Sequence, residues 1–99
     1  MTLPPDDTLR LAGRIVHIAT SQLRLAARVE PLDARALLLD SVRELFAMLP
    51  PLLAVREPGD KGVHLIALVR ELVAEHATLA RGCERELQLR AMHAEAERA

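Results

Sequence analysis

Arginines recur along one face of the first predicted helix and form the clearest charge pattern in the sequence. Alternating steps of four and three residues separate Arg10, Arg14, His17, Ser21, Arg24 and Arg28. Such steps place side chains on one side of an α-helix, and no acid lies between Thr8 and Val29. Four arginines on one face could bind phosphates or an acidic protein through charge-assisted hydrogen bonds. The candidate anion-binding residues, which we name the arginine ridge, are Arg10, Arg14, Arg24 and Arg28.

Two interpretations of the arginine ridge remain open. The simpler one is a solvated helix face whose arginines pair with acids of neighbouring helices. The other is nucleic-acid binding, because residues 22–29 resemble the first helix of a helix-turn-helix, with Ala26 as its small contact residue. The would-be reading helix, however, carries Asp33, Asp40 and Glu44, which would repel phosphates. Nucleic acid is therefore the second hypothesis for a partner.

The other reactive side chains form no known catalytic or metal-binding pattern. The histidines are His17, His64, His76 and His93, and the one cysteine is Cys83. The sequence lacks the Glu-x-x-His and His-Glu-x-x-His spacings of helical metal sites, a CxxC pair and a glycine-rich phosphate loop. We expect no catalytic residue, metal or cofactor, and therefore no enzyme. His76 and Cys83, seven residues apart, are expected at interior or interface positions.

Helical periodicity and prolines divide the chain into three predicted helices at about 8–29, 31–49 and 60–97. Pro31 suits the first turn of the second helix, and Pro50 and Pro51 are expected to end it. Apolar residues cover a wide arc of the first helix, so more than one of its sides is expected to be buried. The prediction is one all-α domain over 1–99, a short N-terminal helical hairpin plus a long C-terminal helix in a helical bundle.

The third helix is too long for the other two to cover. At about 1.5 Å per residue the three helices measure about 33, 28 and 57 Å. Apolar spacing nevertheless continues along the third helix to Leu87, so a second copy is expected to cover the remainder, as a homodimer. The alternative is a break at Gly82, although glycine costs only about 1 kcal/mol inside a helix. The predicted oligomer interface consists of Leu72, His76, Leu79, Cys83 and Leu87.

Composition limits the function further. Hydrophobic residues make up 51% of the chain, but Phe46 is its one aromatic residue, so a monomeric core would be thin and base or sugar stacking is not expected. The net charge of −1 does not indicate a polyanion-binding protein. The acidic N-terminus does not resemble a signal peptide, and no apolar run reaches membrane-spanning length. We expect a cytoplasmic protein without a membrane partner.

These observations predict a small protein–protein interaction module, such as an adaptor, chaperone, inhibitor or regulatory subunit. Proteins of this kind present an apolar helix face or groove to another helix. The expected partners are a second copy and an unidentified protein. The apolar run after Pro50-Pro51 supplies the predicted partner-binding residues, Leu52, Leu53 and Val55.

Overall fold

The computed structural model describes residues 5–54 and 59–98, and the regular structure in these ranges is entirely α-helical. The helices are α1 (Pro5–Arg28), α2 (Leu32–Ala47), α3 (Leu49–Leu53) and α4 (Asp60–Arg98). The predicted all-α fold, a helical hairpin followed by a long helix, is confirmed. Val55 lies outside the described residues.

The turn between α1 and α2 is held by the side chain of Arg35. Its guanidinium donates a hydrogen bond from Nη2 to the carbonyl oxygen of Val29 at 2.9 Å, which satisfies an acceptor just beyond the end of α1. Pro31 precedes α2 with ψ at 121° and is therefore not its first helical residue. The carbonyl oxygen of Pro31 accepts a hydrogen bond from the backbone amide of Arg35 at 3.0 Å. Arg35 therefore contacts the end of α1 through its side chain and the start of α2 through its backbone.

The two consecutive prolines begin a helix instead of ending one. α2 stops at Ala47, and Pro50 and Pro51 lie in the first turn of α3. A proline is tolerated there because the first amides of a helix have no intrahelical acceptor. α3 packs against α1 and places Leu49 in the core, so the prolines redirect the chain without removing it from the bundle.

α1 supplies half of the buried apolar residues. From α1 they are Ala12, Ile15, Val16, Ala19, Leu23 and Ala26; from α2 Leu32, Leu39 and Val42; from α3 Leu49; and from α4 Leu72 and Cys83. The three buried alanines of α1 recur at steps of seven and are fully covered. Small side chains on this line bury little area, so the core is thin, as the composition predicts.

α4 is one continuous helix from Asp60 to Arg98 and passes through Gly82 without a break. The described part of the chain measures 60 × 25 × 19 Å, and its long axis matches the length of about 58 Å expected for 39 helical residues.

None of the helices in the described ranges is both long enough and apolar enough to cross a membrane.

Two leucines of α2 provide a matched test of this core. Leu39 is 3% exposed and Leu37 is 70% exposed, although both lie on the same helix. We expect Leu39→Ala to lower the free energy of unfolding by about 2–5 kcal/mol, because it leaves a cavity. Leu37→Ala should change it by less than about 0.5 kcal/mol. Urea unfolding at one protein concentration measures both, and equal effects would contradict the described packing.

Candidate interaction surfaces

Two polar contacts set the alignment of α4 against α2. Nε2 of His76 donates a hydrogen bond to the carbonyl oxygen of Leu39 at 2.8 Å, so this nitrogen carries a proton. Two turns further along α4, Sγ of Cys83 lies 3.9 Å from the carbonyl oxygen of Leu32. Seven residues forward on α4 correspond to seven residues backward on α2, so the two helices are antiparallel.

The predicted oligomer interface lies largely inside the chain itself. Leu72, His76 and Cys83 are buried, and Leu79 packs half-buried against the same core. The ring of His76 also meets Phe46 edge-on, with ring centroids 5.7 Å apart. These four side chains therefore pack against the core of their own chain, and a role for them between copies stays a prediction. Of the five predicted interface residues, Leu87 alone has an exposed side chain, with 36% of its surface accessible to solvent.

Residues 84–98 of α4, which we name the arm, extend beyond the rest of the bundle. Cys83 faces Leu32, the first residue of α2, so α2 offers no cover further along α4. Every residue of the arm is exposed. Leu87, Ala91 and Ala94 continue the line of Cys83 at steps of four, four and three, and therefore share its face. Glutamates flank this face on both sides, namely Glu84, Glu86, Glu95 and Glu97.

The arginine ridge is exposed along its whole length. Its four arginines, together with His17 and Ser21, have solvent-accessible side chains on α1. Among residues 7–54 and 59–98, whose side chains the structure describes, the one salt bridge joins Arg43 to Asp40 at 3.9 Å, so no arginine of the ridge is paired with an acid of these ranges. The ridge is thus a solvated face, and the expected pairing with acids of neighbouring helices is not observed in the described ranges.

Sequence analysis missed a line of large apolar residues beside the ridge. Leu11, Ile18 and Leu25, which we name the α1 stripe, are 41%, 46% and 48% exposed. Each directly precedes a fully buried alanine, so at these three levels α1 turns the small side chain inward and the larger one outward. The prediction that the wide apolar arc would be buried is wrong for this stripe. The signal was present in the sequence as a second seven-residue repeat, offset by one residue from the alanines.

The remaining predicted positions provide no enclosed site. Leu52 and Leu53 are half-buried against the core through α3, so the proposed partner-binding run is partly used within the chain. A groove of about 550 Å³ at the starts of α1 and α4 is lined by Leu9, Arg10, Gly13, Lys61 and Leu65. Among the described residues no three His, Cys, Asp or Glu side chains are grouped to hold a metal ion.

Comparisons with protein-family models, with curated proteins and with solved structures find no match for this chain. The fold therefore defines it as an all-α helical bundle with a projecting helix. Three surfaces can be offered to a partner: the arm, the α1 stripe and the arginine ridge.

The contact between His76 and Leu39 gives a test of the buried, structural role of this histidine. His76→Ala removes a buried hydrogen bond, the contact with Phe46 and side-chain volume, so it should lower the free energy of unfolding by about 2–4 kcal/mol. His64→Ala, at an exposed position of the same helix, is the control and should be close to neutral. Thermal and urea unfolding measure both variants. A His76 variant as stable as the control would contradict the buried role.

Proposed function

We propose that this protein is a small non-enzymatic interaction module that associates with a second copy of itself through the arm, forming a homo-oligomeric helical bundle. One observation carries the proposal: fifteen consecutive residues of α4 have no cover from their own chain. Isolated helices of this length are marginal in water, and most helical stability in proteins comes from packing an apolar face. A second helix against the arm would supply that packing.

Exposed apolar side chains on the arm support the same proposal. Leu87 faces the side that Cys83 marks, whereas Leu89 and Met92 are 49% and 65% exposed and point away from it. Proteins that recognise helices present such apolar faces to a partner helix. The assembled module would act as an adaptor, chaperone, inhibitor or regulatory subunit towards a further protein, through convex helix surfaces and without a catalytic step.

Placing the same negative charge on one side of the arm or on the other tests which side mediates association. Leu87→Asp places a carboxylate on the face continued from Cys83 and should shift the protein from dimer to monomer, because burying an unpaired charge is costly. Met92→Asp introduces the same charge on the other side of the helix and should leave the dimer intact. Sedimentation equilibrium over a concentration series measures the mass of each variant.

Two results of that measurement would contradict the proposal. A wild-type chain that remains monomeric at every concentration would remove the proposed self-association. Dissociation by Met92→Asp but not by Leu87→Asp would place the interface on the opposite side of the arm. Far-UV circular dichroism of both variants confirms that the helices persist.

Nucleic-acid binding is the second candidate, and the exposed arginine ridge is the observation that favours it. The four guanidinium groups are exposed on one face, about 27 Å from Arg10 to Arg28 at about 1.5 Å per residue. Against it stand a net charge of −1 and the lack of tyrosine and tryptophan for stacking bases. The ridge is therefore better suited to glutamates of a protein surface.

Salt dependence separates the two candidates. On the proposal favoured here, short duplex DNA and single-stranded RNA should show no binding even at low salt. If the ridge binds phosphates, the logarithm of the affinity should fall with the logarithm of the salt concentration, by about 0.9 per phosphate neutralised on duplex DNA. Fluorescence anisotropy at two salt concentrations distinguishes these outcomes, with a chain carrying Arg14→Glu and Arg24→Glu as the control.

A further inference from the structure

We infer that the arm of one copy docks antiparallel on the α1 stripe of a second copy, with Glu84 against Arg28 of the arginine ridge, and that the second arm does the same in return. This inference rests on the proposed self-association and names the surface that receives the arm. It joins two exposed apolar lines that lie on different helices of the described residues.

Charge determines which surfaces can pair. Two α1 stripes placed against each other would bring two arginine ridges together, and α1 carries no acid between Thr8 and Arg28 to relieve the repulsion. The arm instead carries four glutamates and three arginines, a net charge of −1, so it repels the ridge far less than a second ridge would. Opposite charges at the edges of an interface steer association and fix its alignment. The ridge therefore fits the arm of a second copy better than it fits another ridge.

The lengths of the two surfaces agree. The arm is about 22 Å long, and the same length of α1 extends from Arg28 back to Arg14, at about 1.5 Å per residue. The turn after α1 lies at the level of Cys83, because Leu32 contacts Cys83 and Arg35 joins the turn to α2. If two copies meet at these ends of their bundles, the arm of each copy lies along α1 of the other.

Because both helices rise by the same distance per residue, each residue of the arm has a defined opposite residue on α1 of the second copy. Glu84 of one copy lies opposite Arg28 of the other, Leu87 opposite Leu25, and Ala94 opposite Ile18. The same alignment places Gln88 opposite Arg24 and Arg98 opposite Arg14, so Glu84 and Arg28 form the one glutamate–arginine pair at equal level. The small side chains of Ala91 and Ala94 allow the arm to approach the larger residues of the α1 stripe closely. The resulting dimer has two-fold symmetry and is closed, because each copy gives one arm and receives one.

Charge reversal on the full chain tests this pairing. Arg28→Glu and Glu84→Arg should each raise the dimer dissociation constant by roughly tenfold, because each puts like charges opposite one another. The double variant, with both residues exchanged, should return to within about threefold of the wild type, as coupled residues do in a double-mutant cycle. Sedimentation velocity at low salt measures the dissociation constants, and added salt should weaken the wild-type dimer.

Arg10→Glu is the matched control. It makes the same charge change on the same ridge, but Arg10 lies beyond the reach of an arm that ends opposite Arg14, so the dissociation constant should stay within about threefold of the wild type. An equal effect of Arg10→Glu and Arg28→Glu would overturn the alignment.

The remaining outcomes separate this inference from the proposed function. A dimer that is insensitive to both single reversals, or that the double variant fails to restore, overturns the docking of the arm on α1 and leaves self-association in place. A strictly monomeric wild type overturns both. Thermal unfolding of each variant shows whether a loss of association reflects a loss of folding instead.

Discussion

The antiparallel contact between α2 and α4 is the constraint from which the rest of the arrangement follows. The hydrogen bond from His76 to the carbonyl of Leu39 fixes which residues of the two helices face each other. With that alignment, Cys83 faces the first residue of α2. A helix of 39 residues packed against one of 16 in this way must leave its far end without cover, and the arm is that end.

α1 divides its large apolar side chains between the core and the surface, with Ile15, Val16 and Leu23 buried and Leu11, Ile18 and Leu25 exposed. Ala12, Ala19 and Ala26 face inward and are fully buried, whereas the larger residues that precede each of them are about half exposed. Burying the larger side chains would contribute more to stability, at about 25 cal/mol per Å² of apolar surface. In the proposed assembly a second surface would cover these exposed side chains.

Function in such a molecule would arise from assembly. The described residues offer helix faces and an open groove, and the histidine with the most specific contacts is used to hold two helices together. The proposed association through the arm and the inferred docking on α1 share one physical basis. Apolar surface that the chain cannot cover gains stability when a second molecule covers it.

The sequence by itself determined the three long helices and their approximate lengths, although not the short α3, because the spacing of apolar residues, prolines and the absence of β-rich runs are local properties. It favoured a third helix that continues through Gly82, since the cost of one glycine is small, but it left a break there open, and the structure shows the continuous helix. It could not decide which molecule covers Leu72, His76 and Cys83, because periodicity marks a buried face without naming what buries it. The tertiary structure decided this through the alignment of α2 with α4, and it showed that large residues of α1 face outward. Both depend on contacts between distant parts of the chain, which local spacing does not contain.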